Sequence, residues 1–128
     1  MAEILPIIAP GLVAPTGPFP HATRIGHRVY TSGQAGRNRD TGQMGDAAEQ
    51  VDGALRNIAV VAEAAGTAIE HTLKVTLILR DDVTDMAAVN EAYARHFPDR
   101  QPARTSFFVS RLKNPDMLVE VEAVIGVV

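Results

Sequence analysis

Apolar positions along this chain switch between two spacings, and each switch marks an element. From residue 51 onward Val51, Ala54, Leu55, Ile58, Ala62 and Ala65 recur at helical intervals, and Gly66 follows as a stop. This predicts an amphipathic helix over residues 46–65. Residues 72–80 alternate instead, with Leu73, Val75, Leu77 and Leu79 expected on one face of a strand. Thr84 or Asp85 can cap a second helix ending near Phe97, with Met86, Val89, Tyr93 and Phe97 on its buried stripe. Strands are predicted at residues 104–110 and 117–127, separated by a turn at Lys113-Asn114-Pro115-Asp116. Upstream, residues 23–33 read as two short strands turning at Gly26-His27, and an edge strand is possible around Glu3–Ile8. The segment between is rich in proline, and residues 36–45 read as an exposed loop.

The predicted order is β-β-β-α-β-α-β-β, an α/β (α+β) arrangement with a mixed six-stranded sheet. Two helices can cover only one face of such a sheet. Phe107 and Phe108 point opposite ways, as do Leu77 and Ile78. The uncovered face is therefore expected to be a large apolar patch that packs against other copies in a closed symmetric oligomer.

Composition narrows the classes. The 128 residues fit one domain, 1–128, and an apolar share of 46% supports a real core. The net charge of −3 argues against a nucleic-acid partner. The lack of cysteine removes disulfides, thiolate metal sites and cysteine nucleophiles. The N-terminal apolar stretch lacks a basic flank and is broken by prolines, so neither a signal peptide nor a membrane span is expected, and a cytoplasmic location is. His21, His27, His71 and His96 are scattered without metal-ligand spacing, so no metal site is expected.

The chemistry-bearing candidates are few. Arg104 opens an apolar strand, and a guanidinium there needs an anion. That anion is either a carboxylate of the protein or the carboxylate of a ligand held as a bidentate pair. Glu120 and Glu122 share one strand face and are either solvated or salt-bridged, or one of them orients a water or moves a proton. Asn90 shares the stripe of the second helix and either braces a loop or reaches a ligand. Ser32-Gly33 ends a strand, as a plain turn or as a place of close approach.

Several segments, taken in order, resemble the Rid proteins (reactive intermediate deaminases, also called the YjgF family). They are Thr16-Gly17-Pro18-Phe19, Thr31-Ser32-Gly33-Gln34, Glu63-Ala64-Ala65-Gly66, Val89-Asn90-Glu91-Ala92-Tyr93, Pro102-Ala103-Arg104-Thr105-Ser106 and Val119-Glu120-Val121-Glu122-Ala123. The resemblance runs from about Gly17 to the C-terminus. It implies a chorismate-mutase-like subunit in a homotrimer, with clefts between neighbouring subunits. It also implies hydrolysis of 2-imino and 2-enamino acids, such as 2-iminopropanoate and 2-iminobutanoate, to 2-keto acids and ammonia without a cofactor. On this resemblance Arg104 clamps the substrate carboxylate, Glu120 positions the attacking water, and Ser32, Gly33 and Asn90 occupy the cleft. Phe19 stands where the family often has tyrosine, and Ser106 where it often has cysteine. Both residues bear on which substrate fits. A pathway-specific 2-aminomuconate-type deaminase and a non-catalytic trimer that binds small carboxylates are the alternatives.

Overall fold

The computed structural model describes residues 3–38 and 40–128. The elements are β1 (Ile4–Ile7), β2 (Ala22–Ile25), β3 (Arg28–Thr31), α1 (Ala47–Ala64), β4 (Thr72–Arg80), α2 (Met86–Ala94), β5 (Ala103–Val109) and β6 (Val119–Gly126). They form one six-stranded sheet in the order β1-β2-β3-β6-β4-β5. The β4–β5 pair is parallel and the other pairs are antiparallel. This is the mixed sheet with two helices that the residue pattern predicts.

Local chemistry fixes the ends of α1. Asp46 accepts from the Glu49 backbone N–H at 2.9 Å, and Glu49 accepts from the Asp46 N–H at 3.2 Å, a complete capping box. Gly66, at φ +88°, turns the chain out of the helix. The Arg24 guanidinium donates to the Ala65 carbonyl at 2.7 Å, placing a cation at the helix's negative end. In α2 the cap is Asp85, whose carboxylate accepts from the Ala88 N–H.

The core lies between the helices and one sheet face. Val75, Leu77 and Leu79 of β4 meet Val119, Val121, Ala123 and Ile125 of β6, Val29 of β3, and Leu55, Ile58 and Val89 of the helices. Full burial of such side chains contributes roughly 1.5–3 kcal/mol each.

Three expectations are corrected here. Leu73 is 46% exposed, because Thr72 pairs with Ile125 and Lys74 with Val124. The extra residue makes a bulge and puts Leu73 outside the ladder. Asn90 is exposed, because the buried stripe of α2 runs through Val89, Ala92 and Tyr93. The open sheet face is mixed in character and is not a continuous apolar patch. Its outward positions include Lys74, Thr76, Thr105, Glu120 and Glu122 beside Tyr30 and Phe107.

Candidate functional site

Glu120 sits near the start of β6, opposite Ile78 of β4, on the open face of the sheet. Beyond the end of β3, Gln34 forms an antiparallel bridge with Val121, exchanging hydrogen bonds of 2.7 and 3.0 Å. The bridge brings Gly33 under the Glu120 side chain. A β-carbon on residue 33 would overlap the Glu120 carboxyl group, so glycine is required for this approach.

Around Glu120 the chain forms a cleft of about 810 Å³. Phe19, Ser32 and Gly33 line it together with Thr16, His21, Lys113 and Met117. Four sequence-predicted site residues thus meet in one place. The Ser32 hydroxyl donates to Pro20 O at 2.7 Å, which ties the end of β3 to the N-terminal loop and leaves its oxygen able to accept. The Phe19 ring folds back over Gly17, where a β-carbon would meet the ring at 2.7 Å.

Two residues that sequence reasoning passed over hold the cleft walls. His21 is 5% exposed; its Nδ1 accepts from the Ala9 N–H at 2.9 Å, so its Nε2–H donates to Val13 O at 2.9 Å. Gln50, fully buried, donates to Gly45 O and Asp116 O and accepts from the Leu118 N–H at 2.7 Å. It thereby fixes the segment between Lys113 and Glu120. The signal for Gln50 is a lone amide on the apolar stripe of α1, at position 50 beside Val51 and Ala54. Lys113 donates to the Thr16 hydroxyl, a contact spanning 97 residues that no local pattern announces.

The electrostatics of Glu120 follow from this setting. Burial pushes its carboxyl above the usual glutamate range and the charge of Glu122 adds to the rise, while Lys113 pulls it down. Among the described residues, no ion pair or hydrogen bond engages its side chain.

Arg104 lies elsewhere. It pairs with Val75, so it points to the helix-covered face, and its guanidinium carbon stands 4.7 Å from the centre of the Tyr93 ring. No carboxylate of the described residues is in ion-pair range of it. The internal salt bridge that was one reading of this arginine is absent among them. Burial raises the Tyr93 phenol against the opposing charge of Arg104. The Tyr93 hydroxyl is buried without a hydrogen-bond partner among the described residues. Ser106 is exposed on the same side of β5 as Arg104, and Asn90 lies one helical turn before Tyr93.

Arg104 and Glu120 therefore do not meet within one chain. They sit two strands apart and three residues out of register, which is about 10 Å across and about 10 Å along, on opposite faces of the sheet. Among the described residues, no group of three or more histidine, aspartate or glutamate side chains is placed to hold a metal ion, and no helix is long and apolar enough to cross a membrane.

Comparison with known proteins agrees with this architecture. The family model described as "Endoribonuclease L-PSP" matches residues 11–127. A RutC family protein of Pyrococcus abyssi is 37% identical over 112 residues, covering 86% of this chain and 87% of that protein. The human 2-iminobutanoate/2-iminopropanoate deaminase is 35% identical over 118 residues, covering 91% of this chain and 82% of the human one. The crystal structure of E. coli TdcF with bound serine superposes with a TM-score of 0.86 at 28% identity, covering 95% of this chain and 98% of TdcF. With a family model spanning nearly its whole length and relatives of this kind, the chain belongs to the YjgF/RutC/Rid family.

Proposed function

We propose that this chain hydrolyses reactive 2-imino and 2-enamino acids to 2-keto acids and ammonia, at a site that two copies build together in a homotrimer. The observation that carries this reading is the separation of the two charged groups. Among the described residues, Arg104 is a guanidinium without a protein carboxylate and Glu120 is a half-buried carboxylate without a cation in contact, and one chain holds them on opposite sheet faces. A neighbouring copy supplies the missing half if its β5 edge meets the Glu120 cleft. The names of relatives such as the human 2-iminobutanoate/2-iminopropanoate deaminase support the reaction class.

The chemistry needs little machinery. Arg104 of one copy holds the substrate carboxylate through two parallel N–H···O bonds. Glu120 of the next accepts a proton from a water as the water's oxygen bonds to the imine carbon. The C=N electron pair of the protonated imine moves to nitrogen, giving a neutral carbinolamine. Glu120 then returns the proton to that nitrogen and takes the hydroxyl proton as the C–N bond breaks, so that ammonia leaves and the carbonyl of the keto acid forms. A carboxyl group raised above its ordinary range is the stronger base for the first step. Proximity of water and carbon supplies most of the gain.

A binder that holds small carboxylates without turnover uses the same arginine, and the serine in the E. coli TdcF structure favours keeping that reading in view. A nuclease would need a field that attracts phosphates, and the net charge of −3 opposes one. The deciding test is ammonia release from freshly generated 2-iminobutanoate, 2-iminopropanoate and 2-aminomuconate, above the buffer rate, by wild type and Arg104→Ala. Wild-type acceleration that falls about 100-fold or more in the variant supports the clamp, in line with loss of a charge-assisted bidentate pair. Full activity in the variant overturns it, and binding of a 2-keto acid without turnover favours the binder.

A further inference from the structure

One charge in the cleft has no part in this hydrolysis. Arg37 and Lys113 are the cations among the described residues that line it. Arg37 is already neutralised by Asp116 at 3.1 Å and donates to Gly42 O. Lys113 has no carboxylate in ion-pair range among the described residues. Neutral groups hold it instead: the Thr16 hydroxyl accepts from its ammonium, which stands 6.0 Å from the centre of the Phe19 ring. Thr16 and Phe19 come from the N-terminal loop, and Lys113 comes from the turn before β6, so the ammonium joins two walls of the cleft that holds Glu120. Its charge is felt at the Glu120 carboxyl.

We propose that Lys113 is a second anion anchor, and that the preferred substrates are imino or enamino acids carrying a second acidic group. This rests on the hydrolase reading above: Arg104 of one copy takes the carboxylate next to the imine carbon, and Lys113 takes the distal one. An ammonium fixed by a hydroxyl and a ring keeps donors free and its full charge. As a compact point charge it accepts a carboxylate without the strict planar geometry a guanidinium demands. The Phe19 ring beside it offers an apolar surface for the carbon chain between the two acids. A monocarboxylic substrate leaves Lys113 unmatched, and a diacid does not.

The test compares two imines generated in place, 2-iminopropanoate and the diacid 2-iminoglutarate, with wild type, Lys113→Gln and Lys113→Arg. The readout is the ratio of kcat/KM for the diacid to that for the monoacid. Wild type is expected to favour the diacid about tenfold, the scale of one modest charge-assisted contact. Lys113→Gln is expected to bring the ratio to near one, chiefly through KM for the diacid, and Lys113→Arg to keep most of it. A wild-type ratio at or below one overturns the proposal while leaving the hydrolase reading intact, and so does a ratio that Lys113→Gln leaves unchanged. If neither imine is consumed faster than in buffer, the hydrolase reading fails on its own. Calorimetry with 2-oxoglutarate and pyruvate then decides the anchor. Tighter diacid binding that Lys113→Gln abolishes sustains it, and equal binding of the two overturns it.

Discussion

The Glu120 cleft and the Arg104 edge are built by opposite strategies. Around Glu120 nearly everything is tied down: a bare glycine beneath the carboxyl, a seryl hydroxyl on Pro20, a buried imidazole with both nitrogens engaged, and a buried amide with three bonds. Around Arg104 there is one aromatic ring and an edge strand whose side chains are mostly exposed. The first region is finished within the chain. The second is left open. On the proposed function, the group that acts on water is held by its own subunit, whereas the group that recognises a carboxylate awaits a neighbour's cleft.

The strongest way to break this contrast is to separate the halves genetically. Arg104→Ala and Glu120→Gln are each expected to be nearly inactive as pure proteins. Unfolded together and refolded at equal amounts, they should regain about a quarter of wild-type activity, because about one site in four then pairs an intact arginine with an intact glutamate from different copies. No recovery in verified mixed oligomers would mean that both groups act within one chain. Gly33→Ala comes next in size: its methyl must displace the Glu120 carboxyl, and we expect about a tenfold loss in kcat with little change in KM. A larger change in KM than in kcat would place Gly33 in substrate binding instead.

Glu120 also gives two pH signatures with a definite sign. Its folded pKa is raised. The acid limb of the rate profile should therefore lie above the ordinary glutamate value of about 4.3. The stability contribution of this group is fully present below the unfolded value and is lost as the pH rises through the folded one. Glu120→Gln should accordingly raise Tm slightly at pH 7, with the gain shrinking towards pH 4, since half-exposure screens most of the effect. A Tm that falls at pH 7 would contradict this. The smallest expected effect is on the arginine side. Tyr93→Phe removes a buried hydroxyl without a partner and should change stability by less than about 1 kcal/mol, or stabilise, in chemical denaturation. A loss above about 2 kcal/mol would mean that the hydroxyl has a bound partner in solution.

The two regions were also unequally legible in the sequence. Helical spacing from Val51 to Ala65 and the stop at Gly66 located α1, and Asp85 located the start of α2. Alternation located β4 to the residue, yet it could not reveal the bulge that expels Leu73, because a bulge depends on how the partner strand pairs. Asn90 was misplaced for a related reason. Helical spacing defines a band of neighbouring positions, and the exposed rim of that band belongs to it as much as the buried centre. Arg104, Glu120, Ser32 and Gly33 were picked out by residue type and strand pattern, and Phe19 and Ser106 by a family resemblance carried by short segments. Lys113 and His21 were not, since their partners Thr16, Ala9 and Val13 are distant in sequence or offer only backbone.

The strand that carries Arg104 has a further consequence, for solubility. Ala103–Val109 reads Ala-Arg-Thr-Ser-Phe-Phe-Val, an edge strand with two half-exposed phenylalanines and a single charge. Exposed edges of this kind template strand addition between molecules, and one well-placed charge is a common guard against it. The residue proposed to recognise a carboxylate thus also places the one charge on this strand, and Arg104→Ala would remove both the proposed clamp and the guard.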